Sequence, residues 1–166
     1  MVSATLPAAR QDGDKKGNED SDSKARLRLW IRLLRASRLI EGVARERLKS
    51  QFNATLPRFD VMAALYRGSD GMLMSEISRY LMVSNGNVTG IVDRLVADGL
   101  VARTQRNGDR RTSFISLTRK GRAAFADMAA AHERWVDELL GGVSVRDAEQ
   151  MSAKLKSFRS DWEDGA

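Results

Sequence analysis

Asn85, Asn87 and Thr89 set two amides and a hydroxyl close together, with Gly86 and Gly90 among them. Short polar side chains near the start of a helix are what base edges in a DNA major groove can be read with. Each glycine weakens an isolated helix by ~1 kcal/mol relative to alanine. That cost makes sense where the backbone must approach a groove floor. Further along, Asp109, Arg110 and Arg111 follow Asn107-Gly108, a strong hairpin-turn signal. Arg110 and Arg111 alternate in direction near the tip, so only one leads into a narrow minor groove, whose negative potential attracts guanidinium groups. Asp109 is repelled by DNA and suits an orienting partner for Arg111. Arg94 is better placed for phosphate than for bases. The bland alternatives are an ordinary surface helix and a solvated hairpin with a charged tip. A polar helix followed at once by a basic hairpin favours contact with duplex DNA.

The surrounding pattern supplies elements to position these residues. Val88, Ile91, Val92 and Leu95 repeat at helical spacing and face a core, leaving Asn85, Gly86, Asn87, Thr89, Gly90, Asp93 and Arg94 outside. Ser84 stands where its hydroxyl would cap this helix, and Gly99 where a left-handed cap would end it. Before it, Ser75 to Met82 reads as a short helix with Ile77 and Leu81 inward, and Val83-Ser84 as the turn. Pro57 opens another helix carrying Phe59, Val61, Met62, Ala64 and Leu65, stopped by the Gly68–Gly71 turn. Val101 to Thr104 and Thr112 to Leu117 are β-prone, with Ser113, Ile115 and Leu117 on one face. Thr118 caps a long helix reaching about Leu140, and Gly141-Gly142 breaks it. Ser144 with Asp147 makes a capping box for a last helix to about Trp162. The expected fold is mainly α with a small β-hairpin wing: a winged helix-turn-helix with terminal helices forming a homodimer interface.

Positive charge falls in two blocks. The chain of 166 residues has a net charge of +6, yet residues 24–50 hold nine basic and two acidic side chains, and 94–122 hold eight and two. A basic stripe is the electrostatic footprint of phosphate binding. The first block belongs to a long helical stretch, 24–51, in which Leu27, Leu29, Trp30, Leu33, Leu34, Ile40, Ala44 and Leu48 form one broad apolar arc. Ile31, Leu39 and Val43 fall outside it. A helix apolar on more than one side is covered by more than its own domain, which points to a dimer. Arg28, Arg32 and Arg35, at i, i+4 and i+7, line the opposite side, spaced for several phosphates of an anionic ligand. A solvated stripe and contacts to flanking DNA are the rival readings of these arginines.

The remaining function classes find little support. With no cysteine there is no disulfide, thiolate site or thiol-based sensing, and the single histidine, His132, builds neither a zinc site nor a triad. His132 is expected on a helix surface. No catalytic, metal or cofactor site is expected, and no nucleophile–base pair or phosphate loop supports an enzyme. No apolar run spans a bilayer and no signal peptide is evident, so the expectation is a cytoplasmic chain without membrane association. Residues 1–23, polar and nearly free of large apolar side chains, read as a disordered leader.

VSNGNVTGIVDRLVADGLV followed by NGDRRTSFISLT resembles the recognition helix and wing of the MarR family of bacterial transcriptional regulators. The wing pattern is matched by Asp109, Arg111, Leu117, Thr118 and Gly121, and the resemblance covers Lys24 to about Trp162. It implies a family domain over 24–166: a dimerisation helix at 24–51, a winged helix-turn-helix at 56–118 and C-terminal dimerisation helices at 119–163. It also implies an obligate homodimer on a near-palindromic operator in double-stranded DNA, and repression relieved by a small ligand. By matching position Arg111 would be the minor-groove arginine, Asp109 its partner, and Thr89 and Arg94 backbone contacts. Lacking cysteine, the chain departs from the thiol-sensing branch. LRLWIRLLRASRLIEG and LPRFDVMAAL are similar to members responding to aromatic acyl-CoA thioesters, which makes p-coumaroyl-CoA or a related acyl-CoA the expected effector. In the family fold the first two helices border a crevice, where Trp30, Phe59 and Met62 would line the apolar part beside Arg28, Arg32 and Arg35. The alternative is a winged-helix module that binds protein without specific DNA binding, for which a neutral or acidic wing would be the mark.

Overall fold

The computed structural model describes residues 12–68, 71–105 and 113–163. Six helices and three short strands follow in the order α1 Asp12–Phe52, α2 Leu56–Arg67, β1 Met72–Leu73, α3 Met74–Leu81, α4 Asn85–Ala97, β2 Val101–Gln105, β3 Ser113–Leu117, α5 Arg119–Leu140 and α6 Val145–Glu163. By its contacts the chain divides into two units, Met1–Gly42 and Val43–Ala166.

In the first unit α1 begins at Asp12, not at Lys24, so residues 12–23 are helical where a disordered leader was expected. Once a helix is nucleated each further residue adds one hydrogen bond, and the stretch contains no proline to stop it. Residues 1–11 lie outside the described part. Leu27, Leu29, Trp30, Ile31 and Leu39 are exposed on this helix, as are Arg28, Arg32 and Arg35.

The second unit has one apolar core, built around seven side chains with no exposure: Val61, Leu65, Ile77, Val88, Val92, Leu95 and Ile115. Burying each contributes about 1.5–3 kcal/mol relative to leaving it in water. Leu48, near the end of α1, joins them, as do Phe125, Met128 and Trp135 from α5. The inward positions read from the sequence therefore hold for α2 and α4. Ile115 and Leu117 are buried on one side of β3, as strict alternation requires.

The sheet has a strand that periodicity did not reveal. Its order is β1-β3-β2, all antiparallel, with Met72 opposite Ile115 and Leu73 opposite Phe114. Two residues are too few to show a period. The signal lies in Gly71, whose φ of +93° turns the chain and whose Cβ, if present, would stand 2.8 Å from the Ile115 carbonyl oxygen. The chain enters α3 directly from β1, and the Glu76 carboxylate accepts from the Leu73 N–H at 2.7 Å.

The helix ends follow their caps. The Thr118 hydroxyl accepts from the Gly121 N–H at 2.9 Å and donates to the Gly99 carbonyl at 2.8 Å. Ser144 and Asp147 form the capping box, with the Ser144 hydroxyl accepting from the Asp147 N–H at 3.2 Å and bonded to its carboxylate at 2.6 Å. α4 closes in a Schellman motif: Leu100 N–H donates to the Leu95 carbonyl and Gly99 N–H to that of Val96, both at 2.9 Å, with Gly99 at φ +69°. Ser84 departs from expectation. It is the N-cap of α4, but its hydroxyl makes no capping hydrogen bond; its carbonyl accepts from Asn87 and Val88 instead.

Candidate nucleic-acid interface

The turn between α3 and α4 fixes how the second helix is presented. Met82 is left-handed at φ +53°, the Val83 N–H donates to the Ser78 carbonyl at 3.1 Å, and the buried Ser78 hydroxyl donates to the Val83 carbonyl at 2.7 Å. A non-glycine residue in that region is uncommon, and the paired bonds from Ser78 hold it there. Sequence reading found the turn but missed Ser78 and the conformation of Met82.

With Val88, Val92 and Leu95 buried, α4 turns Gly86, Asn87, Thr89, Gly90, Asp93 and Arg94 to the exposed side. Of Asn85 only the backbone is described. A Cβ added to Gly86 or Gly90 would meet nothing within 4 Å, so neither glycine is required by packing inside the chain. Asp93 pairs with Arg103 on β2, which offsets the one carboxylate of α4 and links the helix to the strand. Arg103 had not been singled out. Its position, ten residues beyond Asp93 on a different element, becomes informative only once the pairing of helix and strand is known.

The far end of α4 is anchored from two sides. Arg58 of α2 pairs with the Asp98 carboxylate, and Lys120 of α5 donates from Nζ to the Asp98 carbonyl at 2.9 Å. A cation on the last carbonyls also complements the helix dipole. β2 and β3 run in register from Val101 opposite Leu117 to Gln105 opposite Ser113. The wing tip, with Asp109, Arg110 and Arg111, lies outside the described residues.

The residues expected to hold a ligand divide between the two units. Arg28, Trp30, Arg32 and Arg35 are exposed on the first part of α1. Phe59 and Met62 lie in the second unit, both buried in its core. Phe59 stacks on His132 with ring centroids 4.9 Å apart, and Trp135 stands edge-on to His132 at 6.4 Å. His132 is thus half-buried among rings and not a plain surface residue, because α5 turns it toward α2.

Burial holds the His132 imidazole below its usual value of 6.5. The folded chain therefore favours the neutral ring. This contribution to stability is complete above the unfolded value and is lost as pH falls through 6.5 toward the lowered folded value. The thermal midpoint should fall as pH drops below the unfolded value of 6.5, and His132→Phe should flatten that slope. An equal slope in the variant would place the dependence elsewhere.

Among the described residues no group of three or more histidine, aspartate or glutamate side chains is placed to hold a metal, and no helix is long and apolar enough to cross a membrane.

A model described as the MarR family matches residues 52–112. The transcriptional activatory protein BadR of Rhodopseudomonas palustris is 31% identical over 132 residues, covering 76% of this chain and 75% of BadR. The crystal structure of a MarR family transcriptional regulator from Silicibacter pomeroyi superposes with a TM-score of 0.69 at 34% identity, covering 85% of this chain and 97% of that one. CouR from Rhodococcus jostii RHA1, solved bound to p-coumaroyl-CoA, has the same fold at a TM-score of 0.69 and 21% identity, covering 78% of this chain and 92% of CouR.

Proposed function

The chain belongs to the MarR family of transcriptional regulators, and from that premise we propose that it is a dimeric repressor in which α4 enters the major groove of an operator. The observation that carries this reading is the outward face of α4. Asn87, Thr89, Gly90 and Arg94 are exposed there, and the neighbouring Asp93 is neutralised by Arg103. Ser84, Asn85 and Gly86 open the same helix, where unpaired backbone N–H groups and the helix dipole favour a phosphate. Arg111 is the contact to the adjacent minor groove in this reading, with Asp109 as its partner and Arg110 as a further cation of the wing.

Two such modules must stand about 34–36 Å apart to read successive major grooves on one face of the duplex, which calls for a fixed two-fold interface. Both terminal helices support one. Leu27, Trp30 and Leu39 on α1 and Val145, Met151 and Leu155 on α6 are exposed in the single chain, and every residue from Gly141 to Ser157 is exposed. The effector of this reading is p-coumaroyl-CoA or a related acyl-CoA. Arg28, Arg32 and Arg35 take the phosphates, and Trp30 on the same helix borders them. The complex of CouR with p-coumaroyl-CoA supports that choice of ligand class. The ligand acts by preferring a dimer whose recognition helices are wrongly spaced, which shifts the population away from the form that binds DNA.

Titration of an operator duplex, recovered by selection from the host genome, against a scrambled duplex at several salt concentrations tests the assignment. Arg111→Ala is expected to weaken operator binding by ~1–3 kcal/mol, the range for a lost groove contact. Arg94→Ala should weaken both duplexes alike and flatten the salt dependence, because a phosphate contact carries no sequence information. Unchanged operator affinity for Arg111→Ala rejects the wing assignment. Failure of p-coumaroyl-CoA to release the wild-type complex rejects the ligand.

A further inference from the structure

The outward face of α4 has an order of its own. At about 3.6 residues per turn, Gly86 and Gly90 fall one above the other, opposite the buried stripe of Val88, Val92 and Leu95. Both glycines are exposed, and a Cβ built on either would meet nothing within 4 Å. Asn87 stands on one flank of this glycine line and Asp93 on the other, with Arg94 further along the Asn87 flank. We propose, resting on the reading of α4 as the groove helix, that it selects an A·T core in each half-site. Asn87 reads adenine, and thymine methyl groups seat against the bare backbone of Gly86 and Gly90.

The helix offers a G·C pair no reader. Guanine presents two acceptors, O6 and N7, which are read most often by the fork of an arginine or by a lysine. The one basic residue of α4, Arg94, lies in its last turn, whereas a recognition helix touches bases with its N-terminal residues. Cytosine calls for an acceptor opposite its N4 amino group. Asp93 is the one carboxylate of α4, and Arg103 occupies it. An asparagine amide pairs instead with adenine, donating to N7 and accepting from N6.

The glycines set the partner base. Thymine carries a methyl group into the major groove at C5, where the other bases have none. With no side chain at 86 or 90 that methyl reaches the Cα hydrogens, and both apolar surfaces leave water together. A G·C pair in the same place turns amino and carbonyl groups toward a bare Cα that cannot satisfy them. Alanine is the better helix former, and no contact within the described chain requires glycine at either position. A methyl entering from outside accounts for both. The wing is not the source of such a preference: arginine is drawn to a narrow A·T minor groove by its potential, while C5 lies in the opposite groove.

Selection of a random duplex library on the full chain supplies the operator for the test. Its half-site core should be A·T, and the best duplex is then titrated by anisotropy beside two modified forms. Replacing core thymines by deoxyuridine, which removes only the C5 methyl, should weaken binding about fourfold for each methyl lost. The same change outside the core should have no effect. Replacing the core adenine by 7-deazaadenine should cost the wild-type chain about fivefold to tenfold and Asn87→Ala almost nothing, since N7 then has no partner to lose. Gly90→Ala puts a methyl of its own where that of thymine would sit, so the thymine and uracil duplexes should bind this variant alike at that position. A core that requires G·C, equal wild-type affinity for thymine and uracil duplexes, or an equal 7-deazaadenine effect in Asn87→Ala each overturns the base assignment. If a G·C core still loses affinity on Gly90→Leu, α4 remains in the groove and only the base assignment falls. Binding indifferent to Gly90→Leu, or a selection that enriches no sequence, rejects the groove reading and the base assignment with it.

Discussion

Gly121→Ala is expected to destabilise the chain by about 3 kcal/mol or more, the upper end of what overpacking costs when backbone must move. A Cβ on Gly121 would lie 1.9 Å from the Leu100 carbonyl oxygen and 2.8 Å from its carbon. Relief by rotating a side chain is unavailable, because the obstacle is backbone. That backbone is itself held: Leu100 N–H is bonded to Leu95 and the Leu100 carbonyl to Thr118 N–H. Separating α5 from Leu100 would also break the cap in which the Thr118 hydroxyl bonds Gly121 N–H and the Gly99 carbonyl. Gly42→Ala is the control. It lies within α1 with nothing within 4 Å of its Cβ position, and should stabilise by ~1 kcal/mol through helix propensity alone. Urea unfolding midpoints of the two variants should therefore move in opposite directions. A Gly121→Ala variant as stable as the parent would mean that α5 does not approach the end of α4 as closely as described.

What the sequence disclosed, and what it withheld, divides by range of interaction. The stripe of Val88, Val92 and Leu95, the Thr118 cap and the left-handed Gly99 are local, and each has a side chain or a glycine that announces it. The outward set on α4 follows from the inward one by subtraction, so Asn87, Thr89, Gly90 and Arg94 were legible with it. Met82 was not, because a left-handed methionine carries no signal of its own and is fixed by Ser78. β1 exists only by pairing with Ile115 and Phe114, more than forty positions away in the chain. The Arg58–Asp98 pair spans 40 positions and Asp93–Arg103 spans 10, so each depends on how elements pack and not on any spacing. His132 was misjudged for a related reason: a lone histidine on an amphipathic helix reads as surface until the opposing ring of Phe59 is known. At Asp12 composition argued for disorder, while helix propagation needs only the backbone and the absence of proline.

Gly90→Leu should separate folding from function by moving them in opposite directions. Leucine is among the better helix formers, and glycine costs ~0.8–1.0 kcal/mol relative to alanine in a helix interior. Gly90 has ordinary helical backbone and open space where a Cβ would stand, so the substitution should raise the thermal midpoint. If the same open space is where a groove floor approaches, an isobutyl group there blocks the approach. It would also bury against polar base edges with nothing to satisfy them. Operator affinity should fall by ~2 kcal/mol or more, about thirtyfold. Gly86→Ala offers a milder form of the same contrast, since its Cβ position is equally open. Anisotropy titration and thermal unfolding of the same preparation read both effects. A Gly90→Leu variant that is more stable and binds operator as well as the parent would show that this face of α4 does not enter the groove. The glycine would then have no role that either the packing or the DNA explains.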